Sequence, residues 1–210
     1  MKITPRGLAR TRIPEAITEI KRSISLDPGN ATSHQILAQL LRRTGDLSGS
    51  AAEIAKAKEL AAKSDRQSEA NIHLKAAAQY IRKHDPADGI RELRLALASE
   101  PDSPEANLLL GVALSSVENW HEADHAFQAA LQKKPSDPQI HFNFGVSLGH
   151  QHDWQGAARE FKSAISLRPG YADAHCLLAR ALAQLGNAEA PQELALARQL
   201  GSCGAEPAAR

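Results

Sequence analysis

The sequence predicts an all-α solenoid of antiparallel helix pairs, and three observations carry that expectation. The first is composition: 42% of the chain is hydrophobic and rich in Ala and Leu, yet only 4% is aromatic. That balance favours helices over strands built from β-branched and aromatic residues. The second is a period. Prolines close successive segments at Pro28, Pro101, Pro135 and Pro169, the last three spaced by the ~34 residues of a helix-turn-helix repeat. The third is a recurrence of small and large residues at matched places within each segment.

The elements follow in order. Residues 1–13 form an N-terminal segment without a recognisable first helix, and 14–28 read as a half repeat. Helix pairs are expected over 31–64, 65–103, 104–137, 138–171 and 172–200, with a frayed tail over 201–210. Between Ala62, which stands where a proline is missing, and Pro101 the period is longer by about five residues. The surplus falls in the polar stretch Lys63 to Gln67, as an extended connector or an extra helical turn.

In the first helix of each pair a small residue recurs at Ala38, Ala77, Gly111, Gly145 and Ala179, where a neighbouring helix must approach closely. Leu37, Leu110, Phe144 and Leu178 flank it, with Leu41, Tyr80, Leu114, Leu148 and Leu182 one turn on. The second helix carries a small, large, small order at steps of four and three. It runs Ala16-Ile20-Ser23, Ser50-Ile54-Ala57, Gly89-Leu93-Ala96, Ala123-Phe127-Ala130 and Ala157-Phe161-Ala164. Such an order lets two helices interlock ridge into groove. The turns repeat as Gly45-Asp46-Leu47, Glu118-Asn119-Trp120 and His152-Asp153-Trp154, where Asp or Asn is expected to cap and Leu or Trp to plug the turn. In the last segment Pro191, Ala195 and Arg198 fall on the small-large-small positions. Its second helix is therefore expected not to interlock, but to form a polar-faced cap over Glu189 to Leu200.

On these residues the chain resembles the tetratricopeptide repeat family over roughly residues 14 to 200, most closely over Glu105 to Pro135 and Gln139 to Pro169. The resemblance implies a right-handed α-α superhelix with a concave face lined by first helices and a convex back of second helices. By the family's pattern the inward positions are Gln35, Gln39 and Arg42; Leu74, Ala78 and Arg82; Leu108, Val112 and Ser115. Phe142, Asn143, Val146 and His150 follow, then Cys176 and Arg180. An apolar centre with Arg and His at the ends suits an extended peptide or amphipathic helix of a partner protein. The Lys/Asn clamp with which some members hold chaperone tails is not matched: Asn143 stands at a suitable place, but Leu108, Val112, Asp173 and Leu177 replace its other members.

Other classes are disfavoured. Lys and Arg number 25 against 24 Asp and Glu, a net charge of +1 with the signs interspersed, and only pairs such as Arg42-Arg43 and Lys133-Lys134 cluster. Nucleic-acid binding needs denser basic runs. No continuous apolar stretch of roughly 18 residues suggests membrane insertion, and no export signal follows the basic N-terminus, so a cytoplasmic location is expected. Cys176 and Cys203 make no framework and belong to no Cys-x-x-Cys pair; no cofactor or metal is implied.

Two enzyme-like motifs need their context. His121-Glu122-Ala123-Asp124-His125 spells a zinc-protease signature, but its central Ala123 is the repeat's packing residue. Gly145-Val146-Ser147-Leu148-Gly149 spells a hydrolase elbow, but sits mid-helix. His34, His73, His141 and His175 share one register with Asn107, too far apart for a common ion and suited to packing. Asn30-Ala31-Thr32 fits a glycosylation acceptor. The sequence thus indicates a non-catalytic protein-binding scaffold. The alternative is a self-assembly or regulatory segment of a larger enzyme or complex, associating through its terminal helices.

Overall fold

The computed structural model describes residues 12–203, and among them ten helices follow one another without a strand. They are α1 (Ile13–Leu26), α2 (Ala31–Thr44), α3 (Leu47–Arg82), α4 (Pro86–Ser99) and α5 (Pro104–Ser116). Then come α6 (Trp120–Lys133), α7 (Pro138–His150), α8 (Trp154–Leu167), α9 (Ala172–Gln184) and α10 (Ala190–Gln199). The expectations placed on residues 1–11 and 204–210 lie outside the described residues. The described residues fall into two compact units, unit 1 ending at Ser68 and unit 2 beginning at Glu69.

The five surplus residues are helical: α3 runs through Lys63 to Gln67 without interruption over 36 residues. Between Ser50 and Arg82 the sequence has neither Gly nor Pro, so nothing there breaks a helix. The turns obey one rule across the chain. Gly45, His84, Glu118, His152 and Gly186, each just after the first helix of a pair, have positive φ between 59° and 89°. A left-handed residue there stops the helix and points the backbone into the next one.

Caps then start the second helices. Asp46, Asp85 and Asp153 accept hydrogen bonds from the backbone N–H of Gly49, Asp88 and Gly156 at 2.8, 3.2 and 2.8 Å. Two expectations at the turns need correction. Asn119 makes no such cap; its Nδ2 donates to Glu122 instead, at 3.0 Å. Leu47 is 68% exposed and plugs nothing, whereas Trp120 and Trp154 are half-buried.

In unit 2 the small-large-small order does what its spacing implies. Leu93, Phe127 and Phe161 are buried, and a Cβ added at Gly111 or Gly145 would stand 2.8 or 2.7 Å from the ring of Phe127 or Phe161. Those two glycines make the room that the rings fill. In unit 1 the pattern is less covered: Ile54 is 42% exposed, and α1 buries none of its residues.

The last helix also needs correction. Pro191, Ala195 and Arg198 are exposed, while Ala190 and Ala197 are buried and Leu194 half-buried, so α10 interlocks with its small-large-small order shifted back by one residue. Its outer face is not purely polar either, since Leu196 is 38% and Leu200 40% exposed. Nor is the start of the tail frayed: Ser202 donates to Asp173 at 2.5 Å, and Cys203 forms a disulfide with Cys176 of α9.

Candidate functional site

In unit 1, Gln39 and Arg42 are exposed on α2 and, together with Gln35, Ala38, Ser50 and Ile54, border a shallow cleft of about 200 Å³. Its floor is fixed by Ser50, whose hydroxyl donates to the Ala38 carbonyl at 2.8 Å.

In unit 2 the inward positions recur at one helical turn, which puts them on one face of α5, α7, α9 and the end of α3. Leu74, Leu108, Val112, Phe142 and Val146 are half-buried and rest on the core, Ala78 is half-buried, and Arg82, His150 and Arg180 are exposed. The structure brings Val112, Ser115, Asn143, Val146 and His150 around one cleft of about 190 Å³. Val146 and His150 also border a second cleft of about 270 Å³, which Arg180 closes and whose apolar walls are Trp154, Phe161 and Leu177. Leu74, Ala78, Arg82, Leu108 and Phe142 lie outside both clefts.

Several of these side chains are already engaged. Phe142 is flanked by the rings of Tyr171 and Phe161, with centroids at 4.8 and 6.0 Å, so its floor is partly covered. Burial raises the Tyr171 hydroxyl above the usual phenol range, against the pull of Arg168, whose guanidinium carbon sits 4.7 Å over the ring. The Asn143 amide donates to the Gln139 carbonyl of its own helix at 2.8 Å. Ser115 Oγ lies 2.8 Å from the Gly111 carbonyl and 2.9 Å from Ser147 Oγ, tying α5 to α7.

A third cleft, of about 510 Å³, opens between α9 and α10, bordered by Ala179, Arg180, Leu194 and Arg198, with Cys176 and Cys203 on one side. The expectation that the cysteines make no framework is corrected here: their Cα atoms stand 5.7 Å apart across the disulfide. Cys176 therefore enters the groove as half of that bond rather than as a thiol.

The enzyme-like motifs resolve into repeat packing. Glu122 binds Arg94 through both carboxylate oxygens, at 2.8 and 3.0 Å, and His121 and His125 are exposed with rings edge to face at 4.6 Å. Ser147 is 1% exposed in the middle of α7, where no strand precedes it. Among the described residues no group of three His, Cys, Asp or Glu gathers as a metal site. Asn30 is exposed and its side-chain Oδ1 caps α2 by accepting from the Ser33 N–H at 3.1 Å.

Paired helices with a left-handed turn residue, an aspartate cap and an interlocking ring define an α-helical repeat protein. Tetratricopeptide repeat models match residues 74–138 and 150–197, and the chain belongs to the tetratricopeptide repeat family. Among solved structures it is similar to YrrB, a TPR protein with an unusual peptide-binding site, at 23% identity over 87% of this chain and 92% of that one, with a TM-score of 0.57. It is similar to MamA at 21% identity over 84% and 98% of the two chains, with a TM-score of 0.60. PilF of Pseudomonas aeruginosa aligns at 20% identity over 83% and 78%, with a TM-score of 0.61. At these identities the likeness is one of fold. No curated protein sequence matches the chain.

Sequence reasoning left Trp154, Phe161 and Leu177 out of the groove because their repeat positions read as turn plug, core filler and clamp remnant. Arg198 and Leu194 were hidden by the one-residue shift of α10.

Proposed function

We propose that the chain is a non-catalytic scaffold that holds an extended segment or amphipathic helix of a partner protein on the first-helix face of unit 2. The family supplies the coarse statement, since tetratricopeptide repeats mediate protein–protein interactions. The observation that carries the finer one is the pair of adjoining clefts that share Val146 and His150, on the face of α5 and α7 that also carries Leu108 and Phe142. Half-buried apolar side chains next to the Arg180 guanidinium and the His150 ring give an apolar floor and a polar edge, the anatomy of a peptide-binding surface. YrrB, a relative in fold, is itself a TPR protein with an unusual peptide-binding site.

Photo-crosslinking tests this reading. A benzophenone amino acid replaces Val112 or Val146 in the groove, or His121 on a second helix, and the partner segments captured in native lysate are mapped by mass spectrometry. Groove-specific cross-links, lost in a Leu108→Glu, Phe142→Glu variant of unchanged helicity, support the reading. Cross-links confined to His121, or unaffected by the double variant, refute it.

A second reading is favoured by α1. Its Ala16 and Ser23 are exposed although they sit at positions that are buried in the helices of unit 2, and Leu26 is 81% exposed. Such a face suits association with another helix, in a homo-oligomer or a larger complex. Sedimentation velocity of the wild type against Ile20→Glu tests it: a concentration-dependent species lost in the variant supports assembly through α1, and a monomer in both excludes it.

A further inference from the structure

We infer that the α9–α10 end of the groove takes an acidic side chain of the partner segment, carried two residues from a bulky apolar one. This rests on the reading of unit 2 as a peptide-holding groove and states the chemistry of what is held.

The argument begins with charge. Arg180 and Arg198 both border the cleft between α9 and α10, both are exposed, and among the described residues neither makes an ion pair. The acids nearby are committed elsewhere. On α9, Asp173 accepts from Ser202 at 2.5 Å. Glu193 on α10 is bonded to His175 at 2.6 Å, and Glu189 just before that helix meets Lys162 at 3.2 Å. On α8, Glu160 is bonded to His141 at 2.7 Å, and Asp153 before it caps its own helix. Two guanidinium groups thus face one cleft with no carboxylate of the described residues opposite, which leaves a fork of donors suited to an incoming carboxylate.

The second part is adjacency. Arg180 borders this cleft and also closes the apolar one formed by Trp154, Phe161 and Leu177. A ligand reaching the arginines therefore has an apolar pocket beside it. In an extended segment, side chains two residues apart lie on one face about 6.8 Å from each other. An apolar residue entering the Trp154 pocket then puts the acid two positions along at Arg180 and Arg198. The carboxylate supplies the orientation that an apolar pocket alone lacks, fixing which way the segment runs.

The test uses the full chain and fluorescein-free synthetic octapeptides, blocked at both ends, with a central Leu-Ser-Glu, Leu-Ser-Gln or Ser-Ser-Glu. Binding is read by NMR from the Trp154 indole N–H and from the side-chain N–H resonances of Arg180 and Arg198. Leu-Ser-Glu is expected to bind at least about tenfold more tightly than either control. That preference is expected to vanish in Arg180→Ala with Arg198→Ala, and to survive in part in the corresponding Lys variants. The positions are exposed, so circular dichroism of all variants should match the wild type.

Equal binding of Leu-Ser-Glu and Leu-Ser-Gln overturns the acid preference and leaves the groove reading standing. If a further Leu-Ser-Gln peptide, left with a free C-terminal carboxylate, binds as tightly as blocked Leu-Ser-Glu, the arginines are assigned to a chain terminus and the side-chain assignment is overturned. No shift at Trp154 with any peptide at about 1 mM overturns this site, while the groove as a whole is judged by its cross-links.

Discussion

Glu160 on α8 reaches across to His141 on α7, its Oε2 standing 2.7 Å from Nδ1, while Nε2 of the same ring lies 3.0 Å from the Pro135 carbonyl in the preceding turn. The arrangement recurs. His34 meets Glu53 at 2.6 Å, His73 meets Glu92 at 2.7 Å, and His175 meets Glu193 at 2.6 Å. His34 and His175 also face the carbonyls of Pro28 and Pro169, at 3.2 and 2.9 Å. In three of these four pairs one side chain thus joins both helices to the turn that introduces them, and His73 makes the bond to glutamate. The register of histidines expected to pack is a set of latches.

Breaking this latch should be felt within its own pair. His141→Ala or Glu160→Ala is expected to cost about 1–2 kcal/mol, because the bond to a carboxylate is partly shielded from water. In a repeat protein global unfolding blurs such a term, so native-state hydrogen exchange of α7 and α8 is the measurement. A double-mutant cycle with zero coupling between the two positions would show that the bond contributes nothing.

The remaining pair offers the converse experiment. Asn107 takes the histidine position and turns to the carbonyls of Ser103 and Pro101, at 3.0 and 3.5 Å, and Ala126, 5% exposed, stands where the glutamate would be. Ala126→Glu alone should destabilise the pair by burying an unpartnered carboxylate. Adding Asn107→His should recover part of the loss, read as a rise in melting temperature over the single variant. No recovery would mean that the latch does not transfer between repeats.

Gly145 is under a different constraint. An alanine Cβ there would stand 2.7 Å from Cε1 of Phe161, so Gly145→Ala should cost about 1–3 kcal/mol by overpacking. The helix-propensity gain of about 1 kcal/mol offsets only part of this. Phe161→Leu in the same chain should relieve it. Gly170→Ala, where nothing lies within 4 Å of the added carbon, is the control expected to be neutral in thermal melts.

Much of this was legible in the residues, and the misses have physical causes. The ~34-residue period and the Gly145/Phe161 complementarity are local signals, because a small residue leaves room that a large one must fill. The continuity of α3 was readable from the lack of a helix breaker after Gly49, but a polar stretch fits a connector and an exposed helix equally. The shift in α10 had a ruler that went unused: His and Glu of a latch are 19 residues apart in three pairs and 18 in the last. The inward positions Val146, His150 and Arg180 came from the family's pattern, whereas Trp154 and Arg198 border the clefts only through packing between helices. The cysteine pair was beyond sequence, since a separation of 27 residues says nothing about the 5.7 Å that folding leaves between the Cα atoms.

That pair gives the last prediction. Closing a loop of 27 residues is worth up to about 3–4 kcal/mol in the chain-entropy account, and in stacked repeats the gain stays near the closed segment. Reduction, or Cys203→Ser, should therefore speed hydrogen exchange in α10 and residues 200–203 while α5 to α8 keep their protection. Equal exchange in oxidised and reduced protein would show that the bond holds nothing that packing does not already hold. The same bond bears on where the chain works, because disulfides persist in oxidising compartments and thiols in the cytosol. Rapid alkylation in intact cells before lysis separates the two: modification of both Cys176 and Cys203 fits a cytoplasmic chain, whereas a pair protected until reductant is added places it where the clasp stays closed.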